Sequence, residues 1–356
     1  MGMIKLPDES IEFFKNNLDT IFESGTLAEG EWNRKLANFG KDYCKAASAV
    51  PTASNGSGMV ALLGIYREYF KRDTAFIQSN TMYGVQTMVA TAGYELAGHI
   101  DCSLETLMPR LRDVEIAISR YSGDKLSLVI LLSHIGGIVN PDIPQITTLC
   151  KEEGIVLLED CAHSFGATLN GQHSGTFGNA GVFSFYATKA IPAGEGGLIV
   201  TNDLEVGEMA EKYVIYDRFD QKMNIGANIR TPEIQALLIY AVVQQTEHII
   251  KNKSEIANRY IAACTELDIP FITQMTYSSR GNYYKFVVLS HEQPVGDYLS
   301  ALKTKTSAVY DYVLGNSRHI ADQHVCLPIW YGQPLDVTER AVAELYQSVG
   351  RAHKAA

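Results

Sequence analysis

An α/β fold built on a largely parallel sheet, with helices on both faces, is what this amino-acid sequence predicts. Three observations carry the expectation. Strand-like and helix-like segments alternate between residues 56 and 201. The runs Leu126 to Ser133 and Ile155 to Asp160 are apolar almost throughout, without the every-second-residue polarity of a strand with one wet face. Gly154 falls between a helical stripe and the second of these runs, where a helix stop is required.

Taken in order, residues 8–28 carry Ile11, Phe14, Leu18, Ile21 and Phe22 on one stripe, an expected helix that gives way to a loop around Ser24-Gly25-Thr26. Asn55-Gly56-Ser57-Gly58 opens a helix over 56–72, with Met59, Leu62, Leu63, Tyr66 and Phe70 at helical spacing. Ala75 to Ser79 reads as a strand and Val85 to Ala97 as a helix. Leu126 to Ser133 is a buried strand, Ile143 to Glu153 a helix, and Ile155 to Asp160 the next buried strand. Gly181 to Phe185 and Gly197 to Thr201 are two more. Thr231 as N-cap and Pro232 at the first helical position begin a long helix. Its stripe of Ile234, Leu237, Leu238, Ala241 and Val242 continues to about Cys264, long enough to bridge two domains. Residues 265–356 read as an α+β mixture, with Tyr284 to Leu289 the clearest strand. A chain of 356 residues is too long for one simple core, so a large domain over 1–250 and a smaller one over 251–356 are expected.

Composition bounds the function. The chain is 46% hydrophobic and 20% charged, an ordinary globular balance, and its formal charge of −10 argues against a nucleic-acid-binding surface. The six cysteines are scattered without a CxxC pair and read as reduced thiols, and Cys161 with His163 lacks the second pair that would complete a zinc site, so no metal is expected. Residues Met1 to Leu6 contain no apolar signal core, and no stretch is long and apolar enough to span a bilayer; a soluble, cytoplasmic protein is the expectation.

The chemistry concentrates around Lys189. It follows the strand-like Ser184-Phe185-Tyr186-Ala187-Thr188 and precedes Gly194-Glu195-Gly196-Gly197, and Asp160 ends a buried strand upstream. A lysine amine condenses with an aldehyde to a Schiff base, and an acid beneath a pyridine ring keeps its nitrogen protonated, so this order suits a pyridoxal phosphate site. Acids at the carboxyl end of a parallel strand stand where ligands collect. Asn55-Gly56-Ser57-Gly58 before a helix offers amide N–H groups to an anion, and Ser184 a second hydroxyl. His163, three residues after Asp160, reads either as a ring neighbour or as a satisfied core histidine. No GxSxG elbow, Walker loop or dinucleotide fingerprint is present.

Together these residues resemble the DegT/DnrJ/EryC1/StrS family of pyridoxal-phosphate-dependent sugar aminotransferases, most strongly over Leu157 to Asp203 and more faintly to about residue 340. The resemblance implies a three-layer α/β/α sheet of fold type I with a smaller C-terminal α+β domain. It implies that Lys189 is the Schiff-base lysine, that Asp160 pairs with the pyridine nitrogen, and that His163 stands near the ring hydroxyl. Gly56, Ser57 and Ser184 match the family's phosphate ligands. Asn228, in the segment Asn224 to Leu237, matches an Asn that reaches the phosphate of the neighbouring subunit, which implies a homodimer with shared sites. Ser133 to Ile146 resembles the pocket-lining segment, with His134 and Gly137 in place. Two positions depart: where the family stacks an aromatic ring on the cofactor this chain offers Met82 or, one register on, Tyr83, and Ala193 stands where the family often has Thr. The implied reaction moves an amino group, with glutamate the expected donor, to a nucleotide-linked keto-sugar. A sugar dehydratase of the same family is the alternative, disfavoured because that branch typically replaces the lysine with His; a non-catalytic binding or regulatory relative is the third reading.

Overall fold

The computed structural model describes residues 4–276, 278–289, 299–307, 309, 320 and 322–355; Met1 to Met3, on which part of the N-terminal reading rests, lie outside them. The helices are α1 (Asp8–Ser24), α2 (Glu31–Cys44), α3 (Asn55–Phe70), α4 (Tyr83–Thr91), α5 (Leu111–Arg120), α6 (Ile143–Glu152), α7 (Leu204–Tyr213), α8 (Glu233–Val243), α9 (Thr246–Glu266) and α10 (Leu335–Ala355). The strands are β1 (Ser48–Thr52), β2 (Thr74–Gln78), β3 (Glu95–Ile100), β4 (Leu128–Ser133), β5 (Val156–Cys161), β6 (Thr168–Leu169), β7 (Gln172–His173), β8 (Ala180–Ser184), β9 (Gly197–Thr201), β10 (Ser279–Arg280), β11 (Phe286–Leu289) and β12 (His324–Leu327).

Seven strands form the central sheet in the order β1-β9-β8-β5-β4-β2-β3, parallel except for β9, which runs antiparallel to both its neighbours. Every residue of β2, β4, β5, β8 and β9 is buried, the apolar runs of these strands together with the polar residues at their ends. One face packs Met59, Leu62 and Leu63 of α3 with residues of α4 and α7; the opposite face packs Trp32 and Leu36 of α2 with Leu237 and Val242 of α8, and Val114 and Ile146 of α5 and α6. The three layers follow. β11, β12, α9 and α10 build a separate core around Tyr260, Phe286 and Leu327. A further cluster joins Met108, Ile135 and Ile138 of the large unit to Ile272, Val287 and Cys326. All six cysteines are buried thiols. Among the described residues no helix is long and apolar enough to cross a membrane.

Several boundaries differ from the expectation. The helix expected over 85–97 ends at Thr91; Gly93 turns the chain in the left-handed region (φ +79°), and Glu95 begins β3. The long helix from Pro232 is two helices, broken at Gln244-Gln245, and Pro232 rather than Thr231 occupies the N-cap position. The expected helix 8–28 stops at Ser24, where Gly25 caps it at φ +68°. Tyr284 and Lys285 precede β11 rather than belonging to it.

Candidate active site

Strand ends set the site. Ser133 and Asp160 are register partners at the carboxyl ends of β4 and β5. The Asp160 carboxylate is 3% exposed: Oδ2 accepts from Ser133 Oγ at 3.0 Å, and Oδ1 accepts from Asn55 Nδ2 and the Ala162 amide, each at 3.1 Å. Ser133 Oγ is in turn 2.8 Å from Thr81 Oγ1, and Asn55 Nδ2 also donates to the Val182 carbonyl at 2.7 Å. Asp160 is thus clamped by neutral donors from β4, α3 and its own turn.

Helix α3 aims its N-terminus at the same place. Ser54 caps it, its Oγ accepting from the Ser57 amide at 3.1 Å while Ser57 Oγ accepts from the Ser54 amide at 3.0 Å. The Ser57 hydroxyl is therefore engaged in the capping box. The amides of Asn55 and Gly56 have no acceptor within the helix, as for the first residues of any helix, and carry the positive end of its dipole. Ser184, buried at the end of β8, accepts from the Tyr186 amide at 3.3 Å.

Lys189 lies on the turn after β8, half-buried. Burial lowers its pKa from the usual lysine value, the nearby charge of Lys285 adds to the shift, and Asp160 opposes it. A lowered pKa raises the fraction of neutral amine, the form that attacks a carbonyl. The Lys189 Nζ sits 5.3 Å from the centre of the Tyr284 ring, which stacks on His163 at 4.1 Å and 28°. Burial, then the charges of Lys189 and Lys285, drives His163 well below the ordinary imidazole range, so it is neutral at pH 7. His134 donates from Nε2 to Glu159 (2.7 Å) and accepts the Asn140 amide at Nδ1 (3.0 Å). Glu159 also takes the amides of Gly175, Phe177 and Gly178. His134, Glu159 and Cys161 bring ligand atoms within 4.8 Å of one another, but these hydrogen bonds already engage His134 and Glu159, and the trio reads as a polar brace behind the strand ends.

The structure gathers Asp160, His163, Ser184 and Lys189 with the α3 terminus that holds Gly56 and Ser57. Met82 and Tyr83 follow Thr81 at the start of α4, 41% and 59% exposed. Asn228 is exposed, and its Oδ1 accepts from Arg230 Nε at 2.9 Å. Sequence reasoning missed the roles of Thr81, Asn55 and Ser133 as supports of Asp160; a polar residue closing an apolar strand, as Ser133 does, is the available signal. It also missed Tyr284 and Lys285, which carry no local mark of function.

Pyridoxal phosphate, the group the resemblance implies, fits this donor set. The α3 amides and Ser184 suit a phosphate, Lys189 suits an aldehyde, and Asp160, whose hydrogen-bond partners are all neutral, presents a buried carboxylate to a protonated ring nitrogen.

The model of the DegT/DnrJ/EryC1/StrS aminotransferase family matches residues 8–344. A GDP-perosamine synthase of Escherichia coli O157:H7 is 32% identical over 167 residues, 45% of this chain and 44% of that protein, so the match spans under half of that relative. A GDP-perosamine synthase of Vibrio cholerae is 28% identical over 77% of this chain and 72% of that protein. Helicobacter pylori PseC, an aminotransferase involved in the biosynthesis of pseudoaminic acid, superimposes with a TM-score of 0.83 at 17% identity, over 98% of both chains, which establishes the shared fold.

Proposed function

The chain belongs to the DegT/DnrJ/EryC1/StrS aminotransferase family, whose members depend on pyridoxal phosphate, and from that premise we propose that it moves an amino group from glutamate to a nucleotide-linked keto-sugar. The observation that carries the reading is Lys189, a partly desolvated amine within electrostatic reach of a buried carboxylate held by neutral donors. The curated relatives named above are nucleotide-sugar enzymes by name, and the intact lysine supports amino transfer over dehydration.

When bound, the cofactor supplies an electrophilic aldehyde and an electron-accepting ring. The protein's part is binding and proton handling. The α3 amides and Ser184 would hold the phosphate, Asp160 would keep the ring nitrogen protonated, and His163 would supply a neutral imidazole near the ring. With its amine free, Lys189 would be the base that takes the proton from the substrate carbon and the acid that returns it. Two half-reactions at one site give ping-pong kinetics.

Asn228 and a homodimer belong to the same reading. Leu27, Tyr216, Phe219 and Ile234 are large, exposed and apolar, and lie in sequence beside the Glu29–Arg218–Arg230 ion-pair cluster, a surface suited to a second copy. Subunit mixing tests both assignments. Lys189→Ala is expected to abolish amino transfer, and Asn228→Ala to reduce it by about 10-fold or more, the loss of a charge-assisted phosphate contact. Mixing the two variants after dissociation should restore activity by rebuilding one intact shared site. Full turnover by Lys189→Ala, read by mass spectrometry against a panel of nucleotide-linked keto-sugars, refutes the function; no complementation refutes the shared site.

A further inference from the structure

Two lysines, Lys189 and Lys285, share one ring of the site, that of Tyr284, with their ammonium groups 5.3 and 5.7 Å from its centre. Among the described residues Lys285 Nζ bonds to the Ser307 carbonyl (3.1 Å) and hydroxyl (3.2 Å), and no carboxylate there pairs with it. Lys253, 3% exposed on α9, lies near enough for the charge of Lys285 to act on it and has no ion-pair partner among the described residues. Asp160 is the acid whose charge acts on Lys189, and it is committed to the ring nitrogen in the reading above. In a chain of net charge −10, Lys285 thus stands beside Lys189 without a carboxylate partner among the described residues.

Lys285 is held in place rather than swinging from the surface. Its amide bonds the Gly136 carbonyl at 3.1 Å, Asn282 bonds the carbonyls of His163 and Phe165 at 2.7 and 3.0 Å, and β10 pairs with β6. The segment 279–285 is thus a strap from the C-terminal unit that fixes Tyr284 and Lys285 against His163 and Lys189.

We propose that Lys285 receives the distal carboxylate of the amino donor, so that the site selects a dicarboxylic amino acid. This rests on the aminotransferase reading. The shared ring places the two ammonium nitrogens within about 11 Å of each other. Within that ceiling, roughly 5 Å of extended glutamate chain ending in a charge-assisted hydrogen bond of ~2.8 Å fits beside the ring. A monocarboxylic donor such as alanine has no group to place there.

Glutarate, a five-carbon dicarboxylate without an amine, is the probe. Calorimetric titration of cofactor-loaded enzyme should show glutarate binding at least 10-fold weaker to Lys285→Ala than to the parent, with recovery in Lys285→Arg. Butyrate affinity should be the same in all three. The KM for glutamate should rise by a similar factor, and those for alanine and the nucleotide sugar should not. Unchanged glutarate affinity, or a loss that falls on the nucleotide sugar instead, overturns the proposal. A matching loss of affinity for butyrate would mark a general disturbance and also overturn it. If the parent transfers no amine from glutamate, the aminotransferase reading fails, while the glutarate titration still judges Lys285.

Discussion

His173 shows how a single buried ring ties stability to pH. It is 9% exposed, its ring lies 4.7 Å from that of Tyr43, and burial, with the Arg280 charge behind it, lowers its pKa to about 4. Unfolded, the same imidazole titrates near 6.5. Between these values the unfolded chain binds a proton that the native chain refuses, so stability is fully present above pH 6.5 and is lost as pH falls toward 4. The Glu247 carboxylate opposes the shift and Lys45 adds to it. A span of this size amounts to about 3 kcal/mol. Replacing the ring by His173→Phe should flatten the acid limb by that amount, measured as the difference between the two proteins in urea unfolding from pH 7.5 to pH 4. Parallel curves would show that His173 does not titrate in this range. The position reads as nothing in sequence, because its environment is supplied by residues distant along the chain.

Helix α2 shows the same limit at the scale of an element. Its N-cap, Gly30, offers no side chain, so no local signal marks its start. The cap comes from α8: Glu233, 2% exposed, accepts the amides of Gly30 (2.9 Å), Trp32 (2.9 Å) and Asn33 (3.0 Å). With Asn33 Nδ2 also donating to it at 2.6 Å, Glu233→Gln removes the charge from four hydrogen bonds and from the α2 dipole, and should cost about 2–3 kcal/mol in chemical denaturation. A loss under 1 kcal/mol would show that the cap is ornamental. The parallel strands, by contrast, were legible, because burial on both faces writes itself as an unbroken apolar run. β1 was not: it carries Pro51 and pairs with β9 alone, as an edge strand can. The break between α8 and α9 was hidden because Val243 and Ile249 continue the apolar stripe across Gln244-Gln245. Among site residues, Lys189, Asp160 and the α3 turn were legible because each belongs to a local strand-turn or turn-helix pattern. Thr81 and Tyr284 were not, since only the tertiary fold brings them to that pattern.

At the scale of the molecule, we propose that the chain divides near residue 250, and that the strap makes the two units unfold as one. Gly137 is where this coupling is most exposed to test. It adopts φ +103°, and a Cβ there would overlap Asn282 Oδ1 and stand 2.7 Å from the Tyr284 amide. Its carbonyl accepts the Asn282 amide at 2.9 Å, while Gly136 accepts from Lys285 and Gln274. Gly171 is the control: it also has a positive φ, +77°, but its Cβ would meet nothing within 4 Å. Gly171→Ala should therefore cost only the left-handed conformation, about 1 kcal/mol. Gly137→Ala adds a steric conflict with the strap and should cost about 2–4 kcal/mol. If the strap couples the two units, Gly137→Ala should also split the single urea transition into two, the C-terminal unit melting first, and weaken cofactor retention by withdrawing Tyr284 from His163 and Lys189. A Gly137→Ala protein that unfolds in one step and loses no more stability than Gly171→Ala would mean that the two units are held together by the shared Ile135–Val287 cluster alone, and that the strap follows the fold without enforcing it.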